Sequence, residues 1–291
     1  TLQIQKILKE RRSNLVDFTE KYYNELMKYG IVTATDKNNQ IKIETSKDEV
    51  VVNVVHPKKS GDEIIRTYNY DPKITKEVWV YGLNDEDVFD VQGEKSSILL
   101  RLIGGENHDY YNISSKNRVR IYDYKSKVNS IIRGKKTKII LRDNYDLNSY
   151  DYRNAPINTF TIIPDLNYNK DNGIMLGFNA SLTSQKFIYH PFSHQHNLRA
   201  KVDFATSGTI VEYLGKFKNN TRSWYYQIDA VATTSNYSQN YFGYGNETGY
   251  NRDLFKINYN RVRTAQYNFK PSYNYMGRNG GNFLVGPTFE S

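Results

Sequence analysis

Apolar and polar positions follow three patterns in succession along the chain. Over residues 2–29, Leu2, Ile4, Ile7, Leu8, Leu15, Phe18, Tyr22, Leu26 and Met27 recur at spacings of three and four. Lys9, Glu10, Arg11 and Arg12 fall between them, which predicts a helix whose apolar stripe must lie on something. Gly30 is expected to stop it in the left-handed conformation, and Asn14 is a candidate break. From Ile31 to about Asn144 the pattern shortens to strands: Ile41–Glu44, Val50–Val52, Val54–Val55, Val78–Tyr81, Ile98–Ile103 and Val119–Tyr122. From Ile157 onward, period-two alternation recurs in segments of about ten residues. Leu176, Phe178, Ala180 and Leu182 share one parity, as do Leu198, Ala200, Val202 and Phe204, with Arg199, Lys201 and Asp203 on the other. Seven such strands are predicted, centred near residues 163, 179, 203, 213, 229, 268 and 286.

The middle region repeats itself. Gly82–Phe89 aligns with Gly104–Tyr111 at an offset of 22 residues, so that Asp87 meets Asp109 and Phe89 meets Tyr111. The pattern resembles a degenerate form of the glycine-aspartate repeat that binds calcium in parallel β-rolls. Such rolls need several stacked turns to complete six to eight oxygen ligands. Only two copies are visible, and Leu83, Asp85 and Asn107 replace glycines. The acids are therefore read as hydrogen-bonding the turns of a small solenoid or sandwich, with calcium at Asp87 and Asp109 left open.

A soluble sandwich and a transmembrane barrel both alternate. The strands here have the length that crosses a bilayer at a tilt. Full charges face away from the apolar parity, and aromatics gather near strand ends: Phe187, Tyr189 and Phe192, then Trp224 and Tyr226, then Tyr273 and Tyr275. Residues 218–222 and 277–281 read as tight turns on one side, and 236–256 as a long loop on the other. These features favour a barrel in which Arg199, Lys201, Asp203, Glu212 and Asp229 line a wet interior. Lys186–His196 reads as too long a connection for that scheme. Arg261 and Arg263 share the aromatic parity, which requires a bulge or a strand running past the bilayer. Seven strands cannot close a barrel of the bacterial, even-numbered type, so the chain is expected to be a piece of a longer polypeptide.

Composition narrows the chemistry. The 291 residues include no Cys, which excludes disulfides, thiol catalysis and cysteine-ligated zinc. Tyrosine is abundant at 26 residues, suited to surfaces dry at one end and wet at the other. The net charge of +9 is spread among acids; its densest cluster, Arg133–Lys138, reads as a solvated turn, and no nucleic-acid partner is expected. No signal segment precedes Thr1, so a mature or truncated N-terminus is expected. Among five histidines, His194 and His196 would point the same way on a strand, but no carboxylate completes a metal set; His190 stands nearby. Asp85 and Asp87 are paired in sequence without a pocket to work in. No phosphate loop or nucleophile elbow occurs, so no catalytic, cofactor-binding or metal-binding residue is assigned and no cofactor is expected.

Trp79–Val91 (WVYGLNDEDVFDV), Arg101–Tyr111 (RLIGGENHDYY), Val119–Tyr124 (VRIYDY), Tyr150–Arg153 (YDYR) and Tyr241–Asn246 (YFGYGN) together resemble a family of Gram-negative outer-membrane proteins. In that family a calcineurin-like metallophosphoesterase is joined through a helical and β-rich region to a BamA-like surface-antigen barrel. The two-metal motifs of the phosphoesterase are missing here, so the resemblance implies location and fold, and hydrolysis only in a part outside this chain. The expected fold is mainly β: a helical segment (1–30), a β-rich periplasmic module (31–156) and the first antiparallel strands of an incomplete outer-membrane barrel (157–291). The expected role is an anchor or assembly-type barrel associated with a periplasmic hydrolase, in contact with outer-membrane lipid and other envelope proteins. The alternatives are a soluble secreted all-β module binding glycan or protein, and part of a metallophosphoesterase.

Overall fold

The computed structural model describes residues 2–153, 158–169, 172–187, 189–218, 223–244, 257–277 and 280–291. The chain is mainly β and divides into two compact units, Thr1–Arg153 and Asn154–Ser291.

The first unit opens with α1 (Leu2–Leu26), continuous through Asn14. Its side chains are exposed on every face from residue 3 to residue 26, so within this unit its apolar stripe is uncovered. Gly30 does not cap it: the helix ends in a turn at Met27 and Lys28, and Gly30 lies in β1 (Tyr29–Thr33). The glycine is needed there because a Cβ would collide with the Tyr70 ring.

After β1 come β2 (Gln40–Thr45), β3 (Val50–His56), β4 (Glu63–Tyr70), β5 (Glu77–Leu83), β6 (Val88–Gly93), β7 (Leu99–Gly105), β8 (Tyr110–Ile113), β9 (Val119–Asp123), β10 (Ser130–Ile132) and β11 (Thr137–Leu141), then a short α2 (Tyr145–Asn148). Strands alternate between two sheets as the chain advances. One is all parallel in the order β1-β5-β7-β9-β11, and the other runs β10-β8-β6-β2-β3-β4, parallel from β10 to β2 and antiparallel at β2–β3 and β3–β4. The chain therefore winds as a coil whose turns stack in register. The 22-residue offset recurs in the pairing: Val88 pairs with Tyr110 and Phe89 with Tyr111.

Inward residues form columns, one from each turn. Val32, Val80, Leu102 and Ile121 line one sheet, and Ile41, Phe89 and Tyr111 the other, all almost wholly buried. Phe89 and Tyr111 stack at 4.9 Å with planes 7° apart. Burying such side chains contributes about 1.5–3 kcal/mol each before entropy is counted. On the outer face of the parallel sheet, Arg101 grips Glu77 with two bonds of 2.7 and 3.0 Å, and Trp79 donates to the same carboxylate at 2.9 Å. Burial opposes that charge, but the Arg101 guanidinium overrides it and holds Glu77 below the usual carboxylate range.

The second unit is one long antiparallel sheet: β12 (Thr159–Asn169), β13 (Gly173–Lys186), β14 (Tyr189–Asp203), β15 (Thr209–Lys218) and β16 (Trp224–Thr233). The small hairpin strands β17 (Ser238–Asn240) and β18 (Arg261–Arg263) lie in the long connection, followed by β19 (Tyr267–Met276), β20 (Asn282–Val285) and β21 (Phe289–Glu290). Both β20 and β21 pair β19 in one continuous register, so they are a single ribbon interrupted at Gly286–Thr288. Seven ribbons result. The sheet is not a closed barrel: among the described residues β12 and the β20–β21 ribbon remain edges.

Three expectations need correction here. The Lys186–His196 segment is not a long connection, since Lys186 pairs with Tyr189 and β14 starts there. Between that pair and Ser184–His194, β14 spends five residues against two of β13, and an odd surplus reverses which face side chains take. Accordingly Phe192 is buried against Tyr225 at 5.8 Å on the charged face rather than in an outer aromatic rim, and Phe187 is buried as well. Arg261 and Arg263 need no bulge, because β18 is separate from the long sheet. The Tyr241–Asn246 motif lies partly outside the described residues.

Candidate functional site

In the long sheet, pairing sorts side chains into two faces. Across one face run rows such as Ile162–Ala180–Leu198–Tyr213–Ala230–Phe269 and Leu166–Leu176–Val202, without a charge. Across the other run Ile163–Asn179–Arg199–Glu212–Val231–Asn268 and Thr161–Ser181–Asn197–Leu214–Asp229–Lys270. All five residues expected on the polar face, Arg199, Lys201, Asp203, Glu212 and Asp229, share it. Arg199 bridges Glu212 at 3.1 Å and approaches Asp165 at 3.7 Å, and Lys201 reaches the same Asp165 at 3.0 Å. Lys201 crosses Gly177 to do so, where any Cβ would strike its side chain. Asp203 turns back on its own loop, accepting from the Thr206 N–H at 2.6 Å.

The accessibilities of the two faces are inverted relative to a water-soluble sheet. The Lys201 side chain is 10% exposed, whereas Leu176 is 46%, Tyr226 51% and Leu166 74% exposed. Within this unit no second sheet covers the apolar side among the described residues. A sheet in water would gain by covering that side, at roughly 25 cal/mol per Å².

Aromatic residues border the apolar field at both strand ends. At the end shared with the β13–β14 turn, Trp224 stacks on Tyr273 at 4.7 Å, Tyr226 meets Tyr273 at 4.8 Å, and His196 lies 5.3 Å from Phe217. At the opposite end stand Tyr168, Phe204 and Tyr267, all largely exposed. His196 to Phe204 is eight residues. At about 3.4 Å each and a tilt near 45°, that is roughly 20 Å of height, close to the apolar band of a membrane strand. His194 and His196 do share a face, 5.5 Å apart, but the His196 Nδ1 is bonded to the Tyr213 hydroxyl at 2.8 Å and no carboxylate joins them. The side chain of His190 lies outside the described residues.

The turn carboxylates of the first unit are the other candidate, and they face inward. Asp87 and Asp109 are buried and belong to a ladder of three rungs running through four residues. The Asn39 N–H donates to Asp87 Oδ1 at 2.8 Å, the Asp87 N–H to Asp109 Oδ1 at 2.9 Å, and the Asp109 N–H to Asn129 Oδ1 at 2.9 Å. Each rung ties one turn of the coil to the next. Asp87 and Asp109 rest their Oδ2 atoms on Gly82 and Gly104; a Cβ on Gly104 would collide with Asp109 Oδ2, the Tyr111 hydroxyl and Asp123 Oδ2 together. Tyr111 donates to Asp123 at 2.6 Å, while the Oδ2 atoms of Asp87 and Asp109 have no hydrogen-bond partner.

Burial pushes Asp87 up to about 8, against the Asn39 N–H that favours the charge, and neighbouring Asp109 adds to the rise. Burial likewise lifts Asp109 to about 7, with Asp123 and Glu86 adding to it, and raises Asp123 itself. Near neutral pH the Asp87 carboxyl is therefore held mostly protonated and that of Asp109 close to half protonated. Asp85, adjacent in sequence, is exposed at a left-handed corner with φ 65°, so Asp85 and Asp87 do not converge. Among the described residues no group of three or more metal-ligating side chains is placed to hold an ion.

Sequence reasoning found the two aspartates but missed Asn39 and Asn129. The signal was present: each of the four turns carries an Asx two residues before an inward apolar residue, as Asn39–Ile41, Asp87–Phe89, Asp109–Tyr111 and Asn129–Ile131. No helix among the described residues is long and apolar enough to cross a membrane, which does not bear on strands. Comparison with protein-family models, curated proteins and solved structures finds no match to the chain.

Proposed function

We propose that the chain is the membrane-anchoring part of an outer-membrane protein, with the Asn154–Ser291 sheet forming a stretch of β-barrel wall. The observation that carries this is the inverted sheet: hydrocarbon side chains stand exposed while Lys201 and Asp165 are paired on the more sheltered face. In lipid an uncovered apolar face is the favourable state, and charges belong on the side of a water-filled lumen. Connections on the side of the β13–β14 turn are all short, at 187–188, 219–223 and 277–281; on the other side 170–172 and 204–208 are short and 234–266 is long, so the one long connection lies opposite the uniformly short side, as in barrels with short periplasmic turns. An open edge in hydrocarbon would leave backbone groups unpaired at several kcal/mol each, so additional strands complete the wall.

The coil of the first unit is the periplasmic module in this reading. Its ladder gives it a stiff, water-compatible body without a catalytic constellation. The resemblance to phosphoesterase-linked, BamA-like proteins adds a hydrolase neighbour and an anchoring or assembly role, with hydrolysis located outside this chain. The test is recovery from membranes. The chain should extract only with detergent, aggregate on its removal and migrate faster on gels unheated than boiled. A monodisperse, detergent-free protein would contradict the proposal.

A further inference from the structure

A cavity of about 200 Å³ opens on the first unit where successive corners of the coil meet the segment around α2. Asp36 and Glu106 contribute carboxylates from two corners; Tyr124, Tyr145 and Tyr150 contribute aromatic rings; and Asn148 completes the set from α2. No lining residue is basic. Asn84 already donates to one Asp36 oxygen at 3.0 Å, leaving the other carboxylate oxygen for another donor.

One observation sets this apart from a chance acidic surface. Asn148 is 3% exposed; its Nδ2 donates to the Arg142 carbonyl at 2.8 Å, yet its Oδ1 is buried without a donor. Such an orphaned acceptor is costly to bury unless another donor meets it. Burial, with Glu106 and Tyr145 beside it, also holds the Tyr124 hydroxyl above its ordinary value, the direction a negative neighbourhood imposes.

Acceptors and aromatic faces without a basic partner define the missing ligand as a cation rich in N–H donors. We propose that this cavity binds the guanidinium or ammonium end of an organic cation, with Asp36 and Glu106 supplying charge, Asn148 an acceptor and the tyrosines a stacking surface. Guanidinium suits it best, because its planar fork pairs with carboxylates and lies flat on rings. The volume is below the ~300–1,000 Å³ of drug-sized pockets and suits a side-chain end. The same group could arrive on a polypeptide or on a free amine.

The experiment is calorimetric titration of the full chain in detergent with three probes: blocked Gly-Arg-Gly, the same peptide with citrulline for arginine, and agmatine. The arginine peptide should bind, with the neutral citrulline peptide at least about tenfold weaker. Glu106→Gln, at an exposed position, should weaken binding by about tenfold without changing the melting temperature. Binding of the peptide alone assigns the ligand to a polypeptide, and equal binding of agmatine assigns it to free amines; either supports the proposal. Equal affinity for citrulline and arginine, indifference to Glu106→Gln, or no heat up to about 10 mM would overturn it. All lining residues belong to the first unit, so the outcome is independent of the membrane reading.

Discussion

Asp109 in the first unit is wholly buried, whereas Leu166 in the second is 74% exposed. Each would be anomalous in the other's surroundings. The coil seats its carboxyls against Gly82 and Gly104 and meets them with protons and N–H donors. The sheet pairs its charges across strands and turns its hydrocarbon outward. Both units follow the same rule, that apolar surface leaves water and buried charge finds a partner or is discharged. They differ in what lies on the other side of the hydrocarbon: protein for the coil, and lipid in the proposed reading of the sheet.

This contrast can be broken from either side. The largest effect is expected from Leu102→Ala in the coil, where a fully buried column residue leaves a cavity at a cost of about 2–5 kcal/mol, measured by chemical denaturation followed at Trp79. Leu198→Arg on the apolar face should reduce insertion into vesicles by about 2–4 kcal/mol, while Asn197→Arg on the opposite face should be tolerated. If both arginines behave alike, the faces have been misassigned. Gly104→Ala should cost about 1–3 kcal/mol, because its methyl group would wedge into Asp109, Tyr111 and Asp123.

The smallest change tests the ladder. Asp87 and Asp109 hold protons more tightly folded than unfolded, so the stability they contribute is fully present below the unfolded value near 4. It is lost as pH rises through about 7 and 8. Denaturation of the coil should therefore require less guanidinium at pH 9 than at pH 5. Asp87→Asn with Asp109→Asn should flatten this dependence, since Asn129 already serves as a neutral acceptor in the neighbouring rung. A steeper dependence in the double variant would contradict the assignment.

The second unit was the more legible in sequence, because period two survives wherever a strand has two unlike faces. It failed at β14, where three surplus residues reversed the parity with no composition change to mark them. The coil was visible only in its middle. Between Gln40 and Val88 the β3–β4 hairpin stretches the offset to 48 residues, and between Tyr110 and Ser130 the turn shortens to 20. Asparagine replaces aspartate in the outer rungs, which hid the ladder from a search for acids. The inward direction of Asp87 and Asp109 depended on stacking with turns that no local pattern displayed. Gly30 misled because a glycine after a helix reads as a cap, whereas here its bareness makes room for a ring from a strand forty residues on.

The two tryptophans provide the most direct test, since each unit has one: Trp79 is 2% exposed in the coil, and Trp224 lies in the aromatic border of the sheet. Single-tryptophan variants, Trp79→Phe and Trp224→Phe, reconstituted into vesicles with brominated lipid chains, report which of them meets lipid. Quenching of Trp224 and not of Trp79 is the predicted result; two equally unquenched tryptophans would contradict a lipid-facing sheet.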